Sequence, residues 1–168
     1  ATLVLRRDPE VARFGAIGVD ATGRIRRFLR WTAPGSPVPL TEMMFTGLQI
    51  LDPQVLEMIP QNRYSSTSEE LYPQMIEQGL PLYGYEAEGY WIDIGTPQRY
   101  LQAHQDVLAG KAPVQVELPE DPPGVWLGDG LSLGKGVELR PTVALGHGCQ
   151  VEDGCVIGPW VVMGRQSR

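Results

Sequence analysis

Cysteine is nearly absent from this chain of 168 residues, which contains only Cys149 and Cys155. Two cysteines do not build a disulfide scaffold, and such scarcity fits a reducing compartment, so we expect a cytoplasmic protein. Long hydrophobic runs are also missing, because no stretch approaches the roughly 18 apolar residues of a membrane span. The opening letters ATLVL indicate a short strand and not the apolar segment of a signal peptide.

Positive charge is scarce as well, because 14 Lys and Arg face 20 Asp and Glu and give a formal net charge of −6. This balance argues against general nucleic-acid binding. The basic residues are unevenly placed, and residues 1–31 carry seven of them, all Arg, against three acids. Such a basic edge either attracts phosphate groups or consists of solvated strand faces, and the sequence leaves both interpretations open.

A repeat of six residues occupies the C-terminal part of the chain. From residue 125 the sequence divides into VWLGDG, LSLGKG, VELRPT, VALGHG, CQVEDG, CVIGPW and VVMGRQ. The first and third positions are apolar in every hexad, and glycine follows the third position in five of the seven. We interpret each hexad as a short strand with inward apolar side chains, followed by a corner at which glycine supplies a positive φ.

This pattern resembles the hexapeptide-repeat family, whose fold is a left-handed parallel β-helix with three hexads in each coil. The resemblance implies that residues 18 apart stack, in the sets Leu127–Leu145–Met163, Leu133–Val151 and Leu139–Ile157. Seven hexads make little more than two coils, and a solenoid needs about three repeats and a cap. We therefore expect a homo-oligomer formed through the β-helix, or a natural chain that continues. A start without Met likewise suggests a fragment or a processed piece.

The remaining residues alternate between strand and helix patterns. Strands are predicted as a hairpin at 14–20 and 24–29, a single strand at 42–51, and a second hairpin at 80–86 and 88–93. Helices are predicted to start at Asp52-Pro53, in the SSTSEE stretch from Ser65, and at Thr96-Pro97, and Gly79 is predicted to end the second one. Residues 112–123 (APVQVELPEDPP) are rich in proline and acids, which predicts an extended linker.

Asp93 is an unusual residue, because it lies between Ile92 and Ile94 at the end of a predicted strand, and strand interiors disfavour Asp. In open α/β sheets, ligands bind at the carboxyl ends of strands. A carboxylate at that place suits a hard cation such as Mg²⁺ held against substrate phosphates. The alternative is that Asp93 caps the following turn through an Asx hydrogen bond.

Four stretches in order, ATLVL, FGAIGVDATGRIRRFLR, FTGLQILDPQVL and YWIDIGTPQRYLQA, resemble the C-terminal half of the sugar-nucleotide pyrophosphorylases. These nucleotidyltransferases join a sugar 1-phosphate to a nucleoside triphosphate, giving an NDP-sugar and pyrophosphate. The pattern is similar above all to mannose-1-phosphate guanylyltransferases and related glucose-1-phosphate enzymes. The resemblance implies an α/β fold, with the C-terminal, sugar-binding part of a Rossmann-like nucleotidyltransferase domain at 1–111, a linker, and a β-helix at 124–168.

The resemblance also implies roles for individual residues. Asp93 matches the Asp of the family's W-x-D-x-G-T motif, which is one of two metal-binding carboxylates, so Mg²⁺ is the implied cofactor. Gly15 matches the glycine whose backbone lies against the sugar, and Thr46 and Gly47 match the T-G pair that lines the sugar pocket. The implied reaction is attack by a sugar phosphate oxygen on the α-phosphate of the nucleotide, with positioning and electrostatics carrying the rate.

The chain departs from the family pattern in two respects. The glycine-rich nucleotide loop and the first metal-binding Asp belong to an N-terminal half, and residues 1–111 contain no G-x-G-x-x-G motif. The family's E-K-P is replaced by Arg30-Trp31-Thr32, which leaves Arg30 as the phosphate-binding candidate and Trp31 as a packing or stacking residue. We therefore expect no catalysis from this chain alone, and a non-catalytic regulatory or assembly subunit of the same fold is the alternative function.

His147 raises a third function, because hexapeptide-repeat acyltransferases use a histidine as general base. It lies at a hexad corner, and no inserted loop interrupts the coils. We therefore interpret it as a histidine of a solvated turn, and coenzyme A binding would distinguish the two interpretations.

Overall fold

The structure is a computed structural model that describes residues 1–9 and 11–168, with the backbone alone for residues 12 and 13. It divides into two compact units, Ala1–Gly89 and Tyr90–Arg168, so the division falls earlier in the chain than the predicted linker. Each unit contains its own hydrophobic cluster. None of the helices in the described ranges has the length and the apolar character of a membrane span.

A six-stranded sheet forms the frame of the first unit, with the strand order β4-β3-β2-β5-β1-β6. Its strands are β1 (Thr2–Arg6), β2 (Ala16–Val19), β3 (Ile25–Phe28), β4 (Trp31–Thr32), β5 (Thr41–Ile50) and β6 (Tyr83–Glu86). Neighbouring strands are antiparallel, except that β1 and β6 run parallel. Strand β1 alternates as a half-buried strand does, with Leu3 and Leu5 fully buried.

Short helices lie between these strands: α1 (Val11–Phe14), α2 (Pro53–Leu56) and α3 (Tyr72–Glu77), the last preceded by a π-helical turn at Thr67–Leu71. The predicted start of α2 is confirmed, because the Asp52 side chain accepts the Gln54 N–H at 2.9 Å. Ser66 caps the π-helical turn by accepting the Glu69 N–H at 3.2 Å. Gly79 follows α3 with a φ of 66°, as predicted for a glycine that ends a helix.

Aromatic rings form the centre of the first core. Tyr72, at the start of α3, is fully buried, and its ring centroid lies 5.1 Å from that of Phe28 and 6.1 Å from that of Phe45. Its hydroxyl donates a hydrogen bond to the Gln49 side chain, which satisfies the polar end of a buried ring. Burial raises the pKa of Tyr72 to about 12, so the hydroxyl stays protonated at neutral pH.

The first predicted hairpin is confirmed, and the second is wrong. Strands β2 and β3 pair antiparallel, whereas β6 pairs in parallel with β1 and residues 88–93 form no strand. A tight hairpin needs positive φ within its turn. Here the positive φ, 102°, is at Gly89, inside the predicted strand, and it takes the chain out of the sheet. Asp93 therefore does not lie at a strand end.

The second unit contains α4 (Pro97–Leu108) followed by seven short strands. These are β7 (Val125–Leu127), β8 (Ser132–Leu133), β9 (Glu138–Leu139), β10 (Val143–Leu145), β11 (Gln150–Val151), β12 (Val156–Ile157) and β13 (Val161–Met163). They stack in parallel with the strands 18 residues away, as β7-β10-β13, β8-β11 and β9-β12. The predicted stacking is confirmed in the pairs Leu127–Leu145, Leu145–Met163, Leu133–Val151 and Leu139–Ile157.

The end of the predicted linker is bonded to the first coil. The Leu127 N–H donates to the Pro119 carbonyl at 3.0 Å, and Glu120 forms an antiparallel bridge with Trp126. The Glu120 carboxylate also accepts the Gly124 N–H at 2.7 Å. These bonds give strand β7 an antiparallel neighbour in addition to β10.

The glycines of the coil have two different tasks, and the predicted positive φ at the corners is confirmed, although the fourth hexad position shows it in only one of five glycines. Positive φ of 68–71° occurs instead at the sixth position, in Gly130, Gly136, Gly148 and Gly154. Among the fourth-position glycines only Gly158 has it. Gly128 is needed for another reason, because a Cβ there would lie 2.5 Å from the backbone nitrogen of His147 in the next coil. Glycine at this position thus permits the close approach of successive coils.

Candidate functional site

Thr46 and Gly47 lie in a bulge of β5. The register with β1 passes from Leu3–Gln49 to Leu5–Phe45, so three residues of β5 face one of β1. The Thr46 hydroxyl donates to the Val4 carbonyl at 2.8 Å, which replaces part of the interrupted ladder. Gly47 has a φ of 88°, and nothing lies within 4 Å of the place where its Cβ would be. A bulge of this kind exposes backbone and is frequent beside binding sites.

Gly15 links α1 to β2 with a φ of 87°. A Cβ at this position would overlap the Leu29 side chain, so both the backbone conformation and the packing require glycine. Leu29 itself has a φ of 53° and forms, with Arg30, the tight turn between β3 and β4. The glycine of the sugar-site prediction is therefore packed directly against the turn that carries Arg30.

Arg30 is exposed and stacks on its neighbour Trp31. The guanidinium carbon lies 4.2 Å from the centroid of the Trp31 ring, which is a cation–π contact. The contact places the cation over the ring, where the negative face of the ring attracts it. The Trp31 ring therefore supports the cation of Arg30.

Strand register brings Gly15, Arg30 and the bulge to the same end of the sheet. Gly15 lies opposite the part of β5 that precedes the bulge, because Ala16 pairs with Met44. Strand β3 ends at Phe28 beside the start of β2, and the turn with Arg30 follows immediately. The residues predicted for sugar and phosphate binding in the first unit therefore lie toward one end of the sheet.

The basic edge of the first unit is largely neutralised by carboxylates. Arg7 pairs with Glu86 at 2.6 Å, Arg26 with Asp20 at 2.6 Å, and Arg27 with Glu42 at 2.5 Å. Arg24 donates to the Gly79 carbonyl at 2.6 Å and so occupies the end of α3. Arg30, by contrast, makes no ion pair with any of the described residues.

Asp20 fixes the turn of the first hairpin. Its side chain accepts the Thr22 hydroxyl at 2.5 Å, the Thr22 N–H at 2.8 Å and the Arg24 N–H at 3.1 Å, besides its ion pair with Arg26. The hydrogen bond from Thr22, followed by that from Arg26, holds the pKa of Asp20 well below its usual range. This carboxylate is nearly buried and saturated with donors, so its task is structural.

Asp93 lies in the irregular segment between Gly89 and α4. Its side chain is exposed, and its oxygens lie 3.3 and 3.4 Å from where a Cβ on Gly95 would be. Thr96, and not Asp93, caps α4 by accepting the Arg99 N–H at 3.3 Å. Asp93 forms no hydrogen bond or ion pair with the described residues, so the alternative of an Asx cap is wrong and both carboxylate oxygens are open.

A buried carboxylate that the sequence did not single out lies on α4. Asp106 is 8 % exposed and accepts hydrogen bonds from the Gln102 amide at 2.9 Å, the Tyr90 hydroxyl at 3.0 Å and the Lys111 ammonium at 3.3 Å. Burial raises the pKa of Asp106, but the hydrogen bonds from these three donors together lower it by more. The net shift of the pKa is therefore downward. Burial and then Asp106 raise the pKa of Tyr90, which keeps its hydroxyl a donor. The signal in the sequence was the i, i+4 spacing of Gln102 and Asp106.

His147 is tied into a corner of the coil. Its Nδ1 accepts the Asp129 N–H at 2.9 Å, and Asp153 accepts the Lys135 N–H at 2.7 Å in the same way. Both acceptors hold the fifth hexad position and reach the residue 18 positions earlier. This repeated corner bond gives His147 a structural role and supports its interpretation as a turn residue.

Comparison with known proteins decides the family. A family model described as "Nucleotidyl transferase" matches residues 1–110. The chain belongs to this nucleotidyltransferase family. The resemblance inferred from the four sequence stretches is therefore confirmed at the level of the family.

Individual nucleotidyltransferases are similar to the chain over most of its length. A mannose-1-phosphate guanylyltransferase of Mycobacterium tuberculosis is 31 % identical, and the match covers 93 % of this chain and 47 % of that protein. A UTP–glucose-1-phosphate uridylyltransferase of Synechocystis is 29 % identical over 96 % of this chain and 42 % of its own. A probable mannose-1-phosphate guanylyltransferase 2 of Arabidopsis thaliana is 30 % identical over 97 % and 44 %. The chain thus spans about half the length of these curated relatives.

Proposed function

We propose that this chain forms the sugar side of a nucleotidyltransferase that acts on a sugar 1-phosphate and a nucleoside triphosphate. The observation that carries the proposal is that Gly15, the turn with Arg30 and the Thr46–Gly47 bulge lie toward the same end of the sheet. Family membership and the names of its relatives, which act on mannose 1-phosphate or glucose 1-phosphate, support the same substrate class.

This end of the sheet offers complementary groups to a phosphorylated sugar. Gly47 lacks a side chain and has open space around it, so a sugar ring is able to approach the backbone of the bulge. Gly15 is packed against Leu29, in the turn that carries Arg30. Arg30 is exposed and lies over the Trp31 ring, and its guanidinium suits a phosphate oxygen. In this arrangement the sugar lies on backbone and its phosphate meets the cation.

The reaction is a phosphoryl displacement in which one bond forms and one breaks. An oxygen of the sugar phosphate attacks the α-phosphorus of the nucleoside triphosphate, and the bond from that phosphorus to the β-phosphate oxygen breaks. Pyrophosphate leaves with the electron pair, and the sugar phosphate becomes part of the NDP-sugar. The contribution of this chain is to hold the attacking phosphate in position and to screen its charge, because two anions must approach each other.

Asp93 would hold Mg²⁺ from this chain. Magnesium prefers oxygen ligands, keeps several waters and uses one or two carboxylates, and Asp93 has an exposed carboxylate free of hydrogen bonds to the described residues. No group of three or more potential ligand residues occurs in the described ranges. The remaining ligands would come from water, substrate phosphates and the second carboxylate that the family resemblance implies. When bound, the ion offsets negative charge on the phosphates.

We also propose that the parallel coil is a left-handed β-helix at 124–168, joined through 112–123 to a nucleotidyltransferase domain that includes 1–111. The 18-residue register of the strands supports this. Exposed apolar side chains on the coil, such as Val156 at 50 % and Trp160 at 43 %, support a homo-oligomer formed through it. The reduced state of Cys149 and Cys155 is consistent with the cytoplasm.

A regulatory or assembly subunit of the same fold is the second candidate. The observation that favours it is the contact of Arg30 with Trp31, at the place where the family has Glu and Lys. A pocket with this pair keeps a cation for phosphate but loses the acidic contact to the sugar. Such a subunit would bind a sugar nucleotide and release no pyrophosphate.

Turnover by the protein as it is encoded tests the proposal. Pyrophosphate release is measured with Mg²⁺ from GTP plus mannose 1-phosphate and from UTP plus glucose 1-phosphate. We expect release with at least one pair, and a loss of about 100-fold in Asp93→Asn, because a metal-bound charge contributes several kcal/mol. The 168-residue chain alone is expected to release none, since residues 1–111 contain no glycine-rich nucleotide loop.

Glu88→Gln is the matched control, because it also removes one exposed acid near the same segment, and turnover is expected to stay within about twofold. Undiminished turnover in Asp93→Asn would contradict the metal role. Binding of a GDP-sugar or UDP-sugar without any pyrophosphate release would favour the regulatory subunit, and binding of coenzyme A would favour an acyltransferase.

A further inference from the structure

Leu29 is the one bulky residue in the described part of the first unit whose backbone has a positive φ. Its φ is 53°, and the other non-glycine residue with positive φ in that part is Asn62, a residue type that tolerates this conformation. Leu29 is the first of the two central residues of the turn between β3 and β4, because Phe28 pairs with Trp31. Two-residue hairpins prefer glycine or asparagine where φ is positive, so a leucine is strained here.

The side chain of Leu29 fills the space that glycine leaves at position 15. A Cβ on Gly15 would overlap Cδ2 of Leu29. Apart from the chain neighbours of Gly15, Leu29 is the only described residue with an atom within 4 Å of that place. The Leu29 side chain is half-buried and also packs against the hydrophobic cluster of the first unit. This packing favours the strained backbone, because a relaxed turn would move the side chain out of the space beside Gly15.

The backbone of Leu29 determines the direction of Arg30, which is the second central residue of the same turn. The pairing of β3 with β4 ends at Phe28 and Trp31, so it holds the strands on both sides of the turn but not its tip. With a negative φ at its first position the turn would be of another type, whose twist does not match the strands. The peptide between Leu29 and Arg30 would then rotate, and the exposed Arg30 side chain would leave the turn in another direction.

We propose that Leu29 is a positioning residue: its side chain, packed on Gly15, keeps the strained turn that directs Arg30 toward the phosphate of the sugar. The ligand of Arg30 rests on the proposed function, whereas the contact of Leu29 with Gly15 is a property of the first unit and is measurable without a substrate. Leu29 itself is not required to touch a ligand. One contact thus links the glycine predicted to lie against the sugar with the cation predicted to bind its phosphate.

A double-mutant cycle of Gly15→Ala and Leu29→Ala in the encoded protein tests the contact. Gly15→Ala alone introduces both an alanine with positive φ and an overlap with Leu29. We expect it to raise the equilibrium constant for unfolding of the first unit about 100-fold. In the Leu29→Ala background the overlap is absent, so the same change is expected to raise the constant only about tenfold. Urea denaturation measures all four proteins, and equal effects of Gly15→Ala in the two backgrounds would overturn the proposal.

Steady-state kinetics of the encoded protein test the consequence for Arg30. Leu29→Ala is expected to raise the KM for the sugar phosphate about tenfold and to leave kcat unchanged, because binding is weakened equally in the ground state and the transition state. In an Arg30→Gln background, Leu29→Ala is expected to add no further change, since it acts through Arg30. Leu29→Met keeps an apolar side chain of similar volume and is expected to keep the wild-type KM.

Leu80→Ala is the matched control, because Leu80 is another partly buried leucine packed against the same cluster. It is expected to destabilise the first unit and to leave the KM within about twofold of the wild type. An unchanged KM in Leu29→Ala, or an effect that persists in the Arg30→Gln background, would refute the positioning role. If the protein releases no pyrophosphate, the dissociation constant of the sugar nucleotide replaces the KM in the same comparison.

The Arg30→Gln variant separates this proposal from the proposed function. If Arg30→Gln leaves the KM unchanged, the phosphate role of Arg30 fails, and the positioning role of Leu29 fails with it. The unfolding cycle then still decides whether Leu29 packs on Gly15. If Arg30→Gln raises the KM and Leu29→Ala does not, the proposed function stands and only the positioning role is refuted.

Discussion

The two units of this chain achieve stability in opposite ways. In the first unit, a core of unlike residues brings together strands that are far apart in sequence, and Phe28, Phe45 and Tyr72 meet from three different elements. In the coil, each strand meets the strand 18 residues away, and the same kind of side chain faces itself. The first arrangement depends on individual shapes, and the second depends on a period.

The difference explains where the candidate site residues lie. A periodic coil has little freedom to vary a single backbone position, because each residue is constrained by the coil next to it. The sheet tolerates a bulge at Thr46–Gly47 and a turn with positive φ at Leu29, since these irregularities affect only local pairing. The irregular positions near Gly15, Arg30 and the bulge therefore lie in the unit with the aperiodic core, whereas Asp93 lies in the second unit, in the irregular segment before α4.

The largest test of this comparison is Leu145→Ala. Leu145 is fully buried between Leu127 and Met163, so the variant leaves a cavity bounded by the coils on both sides. We expect the free energy of unfolding of the coil to fall by about 2–5 kcal/mol. Urea denaturation, monitored by hydrogen exchange at the amides of 125–163, measures this loss.

Val156→Ala is the control, because Val156 is also an aliphatic strand residue of the coil but is 50 % exposed. It is expected to change the free energy of unfolding by about 0.5 kcal/mol or less. Equal losses in the two variants would show that stacking of inward residues is not what stabilises the coil.

Gly128→Ala tests the spacing of the coils. A Cβ on Gly128 would lie 2.5 Å from the His147 nitrogen and 2.8 Å from the Gly146 carbonyl carbon, and backbone has little room to move. We expect a loss of about 3 kcal/mol, at the upper end for an overpacked position. Thermal unfolding followed by circular dichroism measures it.

Gly164→Ala has the same hexad position and provides the comparison. The nearest atom to its Cβ would be the Ser167 hydroxyl at 3.9 Å, and its φ is not in the left-handed region. This variant is expected to be neutral or slightly stabilising, because alanine restricts the unfolded chain. If both substitutions were tolerated, close coil approach would not be the reason for glycine at this position.

Asp20→Asn gives the smallest expected effect and concerns the sheet unit alone. The variant keeps one acceptor for the hairpin turn but loses the charge that faces Arg26, so we expect a loss of about 1.5 kcal/mol at pH 7. The carboxyl pKa is lowered in the folded state, so its contribution is complete above the unfolded value of about 3.9 and disappears as the pH falls below it.

Denaturation curves at several pH values check the sign of this prediction. The difference in unfolding free energy between the wild type and Asp20→Asn should be constant from pH 7 to about pH 5 and narrow toward pH 2. A difference that widens in acid would refute the assignment. Glu88→Gln, an exposed acid, should follow the wild type across the whole range.

The periodic part of the chain was the most predictable from its sequence. The period of six predicted the inward positions, and the family resemblance, with three hexads in each coil, predicted which strands stack. Local capping chemistry likewise predicted the cap at Asp52 and a cap within the SSTSEE stretch, since a cap bond joins residues only two or three apart. In both cases the prediction depended on residues that are close together in the sequence, or on a short repeat.

Long-range interactions account for most of what the sequence did not predict. The parallel pairing of β1 with β6, and the absence of the predicted strand at 88–93, depend on which distant strand pairs with β1. The sequence analysis did not single out Asp106, because its partner Tyr90 lies 16 residues away. The predicted roles of Gly15, Arg30, Thr46, Gly47 and Asp93 came from the family resemblance, and substrate and metal binding by these residues stays a prediction.

The register of the coil also determines how its length is able to change. Adding or deleting 18 residues changes the coil by one full turn and leaves every remaining strand beside a neighbour of the same kind. A change of six residues keeps inward and outward positions but rotates everything beyond it by one face of the three-sided coil. The number of hexads therefore determines from which of the three faces the chain leaves the coil, and so the direction of any segment attached there.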